Sequence, residues 1–148
     1  MANPRSTASI AGHPIHPMLI PFPIAFFVGA FACDLAYWYA SNATWATASI
    51  WLLGAGLVMA ALAATMGLID VLYDRQIREL TTVWWHASAN VLVVLIEAAS
   101  WLFRYQGGAA FVIPTGLLLS LIAVCLLLFS GWMGGKLVFQ GGVGVADT

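Results

Sequence analysis

The sequence predicts an all-α membrane protein, an up-down bundle of four transmembrane helices in a single domain over residues 1–148. Its composition is the first observation, since 62% of the residues are hydrophobic and 7% are charged. Soluble domains carry about 25% charged residues. The mean hydropathy of +0.94 agrees. Finally, four apolar stretches are each long enough to cross a bilayer, which takes about 20 helical residues.

The four predicted spans are connected by short polar segments. In chain order the spans cover residues 18–40, 46–72, 83–104 and 110–134. Short connections make consecutive helices antiparallel neighbours, which is the reason for predicting an up-down bundle. The first span is longer than the apolar core of a signal peptide and lacks a convincing cleavage site, so we expect it to remain as an anchor.

The positive charges predict the orientation of the bundle. Four of them fall on one side of the predicted membrane, and a fifth, Arg104, falls on the other. The four are Arg5, Arg75, Arg78 and Lys136. Cytoplasmic segments carry the excess of lysine and arginine, so both short terminal tails and the middle loop are expected in the cytoplasm. The net charge of −1 gives no basic surface for nucleic acid.

The stretch GHPIHP places His13 and His16 at the cytoplasmic entrance of the first span. A residue before proline avoids the α region, so both histidines are expected to be extended, with Pro17 beginning the helix. Irregular backbone at membrane depth must be buried in protein or line a wet cavity. The stretch is therefore expected to pack against the cytoplasmic end of the bundle. The alternative is a proline-rich helix entry with solvated histidines.

The third span carries a polar stripe on one face. With about 100° of rotation per residue, His86, Asn90, Glu97 and Arg104 share that face. Because polar groups are costly in lipid, the stripe must face the bundle interior or another subunit. Glu97 lies deepest, either as a functional ionisable group or as a neutral acid that fixes helix packing. Arg104 is expected at the same depth as Asp34, with which it could pair.

The predicted topology brings all three histidines of the chain to one membrane level. Imidazoles from facing helices can hold the iron of a haem. In that reading His16 and His86 are axial ligands of haem b and His13 is an alternative ligand or a neighbouring group. Asn90 lies beside them, and Met133 is a substitute ligand.

Two further hypotheses for the role of these residues remain open. His13, His16, His86 and Asp70 could instead hold Zn²⁺ or copper, because imidazole and carboxylate groups suit these ions. For Asp70 the alternative is an ion pair with an arginine of the following loop, or solvation. The last reading is a non-catalytic bundle with no cofactor, which assembles with partner subunits or with itself.

Small residues predict where helices approach closely. Gly56, Ala60 and Ala64 recur at every fourth position of the second span, and Gly131 and Gly135 do so in the fourth. Such spacing permits tight backbone contact. It could serve the bundle itself or a homo-oligomer.

Four stretches together resemble a family of bacterial membrane proteins, the domain of unknown function 2231. They are GHPIHPMLIPFPIAFF near the start, GLIDVL at 67–72, WHASAN at 85–90 and GWMGGKLVFQGGVGV at 131–145. The likeness covers nearly the whole chain and implies a four-span protein of the bacterial inner membrane. The family motif positions here are Gly12, His13, Pro14, His16, Pro17, Asp70, His86, Asn90, Gly134 and Gly135.

The resemblance implies a role in electron transfer, and the family has no assigned reaction. Some members of this family are joined to a Rieske-type iron–sulfur domain, although this chain has no cysteine–histidine cluster for such a centre. In a haem site, Gly134 and Gly135 would let the fourth helix approach the macrocycle. The chain contains no GxSxG, P-loop, GxGxxG or HExxH motif, so a non-enzymatic role is expected. The expected partners are the lipid bilayer, a second copy or redox subunits.

Overall fold

The computed structural model describes residues 3–145, which are mostly helical. A short antiparallel strand pair, β1 (Ser9–Ile10) and β2 (His13–Pro14), precedes the helices. The α-helices are α1 (Ile15–Leu19), α2 (Pro21–Ala40), α3 (Ala43–Tyr73), α4 (Arg75–Glu79), α5 (Thr81–Gly107) and α6 (Leu117–Phe139). A 3₁₀ turn, Gly108–Phe111, and a π turn, Val112–Gly116, join α5 to α6.

Three helical stretches are long and apolar enough to cross a membrane. They are Ile15–Ala40, Ala43–Tyr73 and Thr81–Phe139, and the last contains both α5 and α6. His86 on α5 contacts Ser130 on α6, while Arg104 contacts Ser120. These two contacts require α5 and α6 to lie antiparallel, so the chain reverses between them. The helical membrane class is confirmed, and the count of four spans stays a prediction.

The fourth predicted span differs most from the structure. It was expected over residues 110–134, whereas α6 covers Leu117–Phe139. The preceding Ile113 has extended backbone angles (φ −120°, ψ 128°), as a residue before proline prefers. Gly108 adopts a positive φ of 61°, which a glycine tolerates. These residues interrupt the regular helix, so α6 begins later than hydropathy alone indicates.

The middle connection contains a helix that the sequence reading treated as a loop. In α4, the Asp74 carboxylate caps the N-terminus by accepting from the backbone N–H groups of Gln76 (2.7 Å) and Ile77 (3.2 Å). Side-chain capping of this kind satisfies donors that have no partner inside the helix. Arg75 pairs with Glu79 one turn later at 2.7 Å, so it is not the partner of Asp70.

The expectation that His16 is extended is wrong. His13 lies in β2, extended as predicted, but His16 lies in the first turn of α1. Pro17 follows it inside the same turn. The first N–H groups of a helix have no intrahelical acceptor, so proline at this point removes no hydrogen bond. The helix therefore begins before Pro17 and carries His16 with it.

The outer surface of this fold is apolar, unlike that of a soluble bundle. Large apolar side chains face outward, with Trp51 77% and Leu128 72% exposed. The buried apolar core is Phe27, Ala30, Leu53, Ala60, Val93, Ala123 and Leu127. A continuous apolar exterior is costly in water and suits lipid.

Four helices meet at the buried guanidinium of Arg104. It forms a bidentate pair with the Asp34 carboxylate on α2, with Nη2 2.8 Å from Oδ2. It also donates to Ser49 on α3 (2.7 Å), Ser120 on α6 (3.0 Å) and Ser100 on α5 (3.1 Å). All five residues are fully buried. Arg104 and Asp34 thus form the ion pair that their predicted depth indicated.

The two small-residue repeats differ in what they contact. A Cβ on Gly56 would lie 2.6 Å from a ring carbon of Phe27, so α3 and α2 pack closely there. A Cβ on Gly131 or Gly135 would meet nothing within 4 Å. Gly56 therefore serves packing within this chain, whereas Ala64 is exposed and the glycines of α6 leave an open surface.

Gly56→Ala is expected to destabilise the fold by about 1–3 kcal/mol, because the added methyl group overpacks against Phe27. Unfolding of the purified protein in detergent, followed by circular dichroism, measures the effect. Gly131→Ala is the matched control, expected to be neutral or stabilising by up to about 1 kcal/mol through helix propensity. Equal stability of the two variants would contradict the contact.

Candidate functional site

The N-terminal hairpin consists of β1 and β2 and leads directly into α1. Ala11 and Gly12 form its turn with φ of 50° and 79°, and this left-handed geometry favours glycine. The N–H of Ile15 then donates to the carbonyl of Ala8 at 2.9 Å. His13 is exposed on β2, where it lines an open, mostly apolar groove with Met18 and other residues.

His16 is held against α3 by its own ring. Its Nδ1 lies 2.7 Å from the carbonyl oxygen of Ala63, and because a carbonyl only accepts, Nδ1 carries the hydrogen of this bond. The ring rests on Gly67, where a Cβ would come within 3.0 Å of Nδ1. Glycine at this position thus makes room for the imidazole, and the hydrogen bond leaves Nε2 with its lone pair.

His86 is fixed in the same manner by α6. Its Nδ1 lies 2.9 Å from the carbonyl oxygen of Ser130, so this nitrogen again donates. Asn90, one turn further along α5, places its amide nitrogen 3.1 Å from Nε2 of His86 and 2.7 Å from the Ser130 hydroxyl. A Cβ on Gly134 would lie 3.2 Å from the His86 ring.

The two imidazoles lie close together in an edge-to-face arrangement. The ring centroids of His16 and His86 are 6.2 Å apart, and the ring planes are nearly perpendicular at 85°. Both residues are half-buried. Metal-binding histidines commonly donate the second ring N–H to a backbone carbonyl, which fixes the tautomer and the ring orientation. This pair has that arrangement, which we call the histidine pair.

The predicted metal site of three histidines and Asp70 is not assembled among the described residues. Within residues 3–145, no group of three or more histidine, cysteine, aspartate or glutamate side chains is arranged to hold a metal ion. His13 and Asp70 therefore do not complete the predicted four-residue ligand set. Met133 lies half-buried on α6 beside Gly134. Gly134 packs against the His86 ring, and Gly135 faces open space.

Asp70 instead holds the N-terminal segment in place. Its carboxylate accepts from the Ser6 hydroxyl (2.9 and 3.0 Å), the Thr7 hydroxyl (3.2 Å) and the Ala8 N–H (2.8 Å). The acid is buried, so these donors replace water around its charge. Sequence reasoning missed Ser6 and Thr7, whose only signal was a pair of hydroxyl residues just before the histidine stretch.

Glu97 occupies a separate position between the two polar ends of the fold. It lies on α5 between the histidine pair and the Arg104 cluster, and it is fully buried. Among the described residues, neither of its carboxylate oxygens has a hydrogen-bond partner. Among the four residues of the predicted polar stripe, Glu97 is the one whose side chain has no hydrogen bond to another described residue.

A family model of predicted membrane proteins, DUF2231, matches residues 12–147. The chain belongs to the DUF2231 family. No curated protein and no solved structure matches it. The match begins at the turn of the hairpin and includes the histidine pair, Asp70 and the Arg104 cluster. All the residues of the candidate site except Ser6, Thr7 and Ala8 therefore lie in the part of this DUF2231 chain that matches the family.

Asp70→Ala is expected to release the N-terminal segment of this DUF2231 protein, because the hydrogen bonds from three donors, Ser6, Thr7 and Ala8, are lost. Hydrogen–deuterium exchange of the peptide covering residues 6–16 should accelerate by about tenfold or more, as expected when charge-assisted hydrogen bonds are removed. Glu79→Gln, which alters an exposed acid in α4, should leave that exchange unchanged. Unaltered protection in Asp70→Ala would contradict the anchoring role.

Proposed function

We propose that this DUF2231 protein crosses the bacterial inner membrane four times, with both termini in the cytoplasm. Helices α5 and α6 are antiparallel, and their 27 and 23 residues each exceed the length of about 20 residues that a span needs. The N-terminal and C-terminal segments meet at one end of the fold, where the N–H of Gly144 donates to the carbonyl oxygen of Pro4 at 2.9 Å. Arg5 and α4 meet at the same end through Asp74, which supports a shared positive side.

We infer that the histidine pair binds a transition-metal centre, with the iron of a b-type haem as the first candidate. The observation that carries this inference is the 6.2 Å separation of the two ring centroids. Imidazole nitrogens bind transition-metal ions at about 2.0 Å, so His16 and His86 at this separation would be near enough to hold one ion between them. The Nδ1–H bonds to Ala63 and Ser130 hold both rings in the tautomer that leaves Nε2 as the donor atom.

The chain's own residues would set the properties of such a centre. Haem would supply one-electron chemistry, and His16 and His86 would be the residues that hold its iron. The backbone acceptors Ala63 and Ser130 strengthen the donor character of the imidazoles by accepting their N–H groups. Asn90 lies against Nε2 of His86, so it would have to turn away when that nitrogen binds the metal.

A bare copper or zinc ion is the second candidate for the same pair. It is favoured by the tight packing of Gly67 and Gly134 against the rings, because an ion needs less room than a macrocycle. Two imidazoles leave coordination positions open for water or an exogenous ligand. The remaining candidate is a packing role, in which the rings only join helices or support assembly with partner subunits or a second copy.

Protein expressed with a haem precursor and purified in detergent should show a Soret band that shifts on reduction. His16→Ala and His86→Ala are each expected to abolish the band, because each removes a side chain that would hold the iron. His13→Ala is the matched control and should retain it, since His13 lies outside the histidine pair. Absorption spectra of the oxidised and reduced forms provide the measurement.

Elemental analysis of the same preparations separates the remaining candidates. About one copper or zinc per chain, lost in His86→Ala and kept in His13→Ala, would favour the bare ion over haem. A colourless, metal-free protein, in which the histidine variants change only the free energy of unfolding, would overturn both metal-binding candidates and leave the packing role.

A further inference from the structure

Burying the carboxyl group of Glu97 costs free energy that packing contacts alone do not offset. Its carboxyl group is fully buried between apolar core residues such as Val93 and the Arg104 cluster. An ionised carboxylate at this position has no donor among the described residues, and a neutral acid has no acceptor for its O–H. Either form leaves buried polar atoms unpaired, which is costly. A buried polar group without a hydrogen-bond partner requires an explanation, such as a bound water molecule or a role in proton transfer.

Ser100 is the nearest residue on α5 whose side chain could donate a hydrogen bond toward Glu97. It lies one helical turn further along α5 on the same face. Its hydroxyl oxygen accepts from Nε of Arg104 at 3.1 Å. A hydroxyl can also donate one hydrogen, and no acceptor for it is found among residues 3–145. The Ser100 O–H is therefore available to a water molecule that also contacts Glu97.

The charges around Glu97 are balanced without it. Arg104 on α5 and Asp34 on α2 are the charged groups that act on Glu97 electrostatically, and they neutralise each other as a closed pair. The other two helices contribute hydroxyls to this cluster, Ser49 from α3 and Ser120 from α6. A proton arriving at or leaving Glu97 thus changes the net charge of this buried region.

The Arg104 cluster contains the polar side chain nearest to Glu97 along α5, because Ser100 is about 4.5 Å further along the helix. Asp34 lies about 9 Å along the helix from the end of α2 at Ala40, close to the connection between α2 and α3. In the opposite direction, Asn90 is about 10 Å away along α5, and the buried Val93 lies between. The polar side chains nearest to Glu97 therefore lie toward the α2–α3 connection, and the apolar core separates Glu97 from the histidine pair.

We propose that Glu97 is an exchangeable proton-binding site inside the membrane, reached from the α2–α3 side through the hydroxyl groups of the Arg104 cluster. The proton forms an O–H bond with a Glu97 carboxylate oxygen and returns to water along the same path. The exchange requires no oxidant, reductant or metal. It goes beyond the metal-binding proposal and does not depend on it.

Infrared spectroscopy of metal-free protein tests the proposal. The chain has two glutamates, Glu79 and Glu97, and Glu79 is exposed and paired with Arg75. Cell-free synthesis with carboxyl-¹³C glutamate should therefore shift one carbonyl band of a protonated acid at neutral pH. Glu97→Gln should remove that band, and the matched control Glu79→Gln should retain it. Absence of a label-sensitive band throughout the titration would overturn the proposal.

Exchange into D₂O tests whether the site is reached through the cluster. The labelled band should move to its deuterated position in the folded wild-type protein. Ser100→Ala should slow this exchange about tenfold, as the loss of one hydrogen-bonded step would. Ser130→Ala, at the histidine pair, should not slow it. A band that stays unexchanged for hours, or equal slowing by both serine variants, would overturn the proposal.

Discussion

The guanidinium of Arg104 is the constraint on which the arrangement of the helices depends. A charge removed from water is strongly unfavourable unless ion pairing and hydrogen bonds replace its solvation. Here Asp34 supplies the opposite charge and three serines supply the remaining acceptors, so every helix that spans the fold contributes a group. A shift of one helix along its axis would leave part of this cluster unpaired. The cluster therefore selects one axial register for the bundle.

That register also determines which groups meet at the other end of the fold. His86 lies on the same helix as Arg104, about 27 Å away at 1.5 Å per residue. Once α5 is fixed against α2, α3 and α6, His86 reaches Ser130 on α6 and faces His16 on α1. Asp70 completes the arrangement by anchoring the segment that precedes the hairpin. The histidine pair is thus assembled from distant parts of the chain by contacts made elsewhere.

Much of this fold is predictable from the sequence, because lipid imposes a simple rule on apolar length. The helical spans and the Asp34–Arg104 pair follow from hydropathy and from opposite charges at one depth. The start of α1 before Pro17 and the late start of α6 did not follow, since proline and glycine act through local backbone geometry. The serines of the Arg104 cluster were also missed, because a buried serine and a lipid-facing serine look alike in an apolar sequence.

The register-setting role of Arg104 is tested most directly by a double-mutant cycle with Asp34→Ala, Arg104→Ala and the double variant, measured as free energies of unfolding in detergent. Each single variant is expected to lose about 3–5 kcal/mol, because it leaves a buried charge uncompensated. The double variant is expected to lose much less than the sum, giving an interaction free energy of about 2 kcal/mol or more. Additive losses, within about 0.5 kcal/mol, would contradict the role assigned to this ion pair.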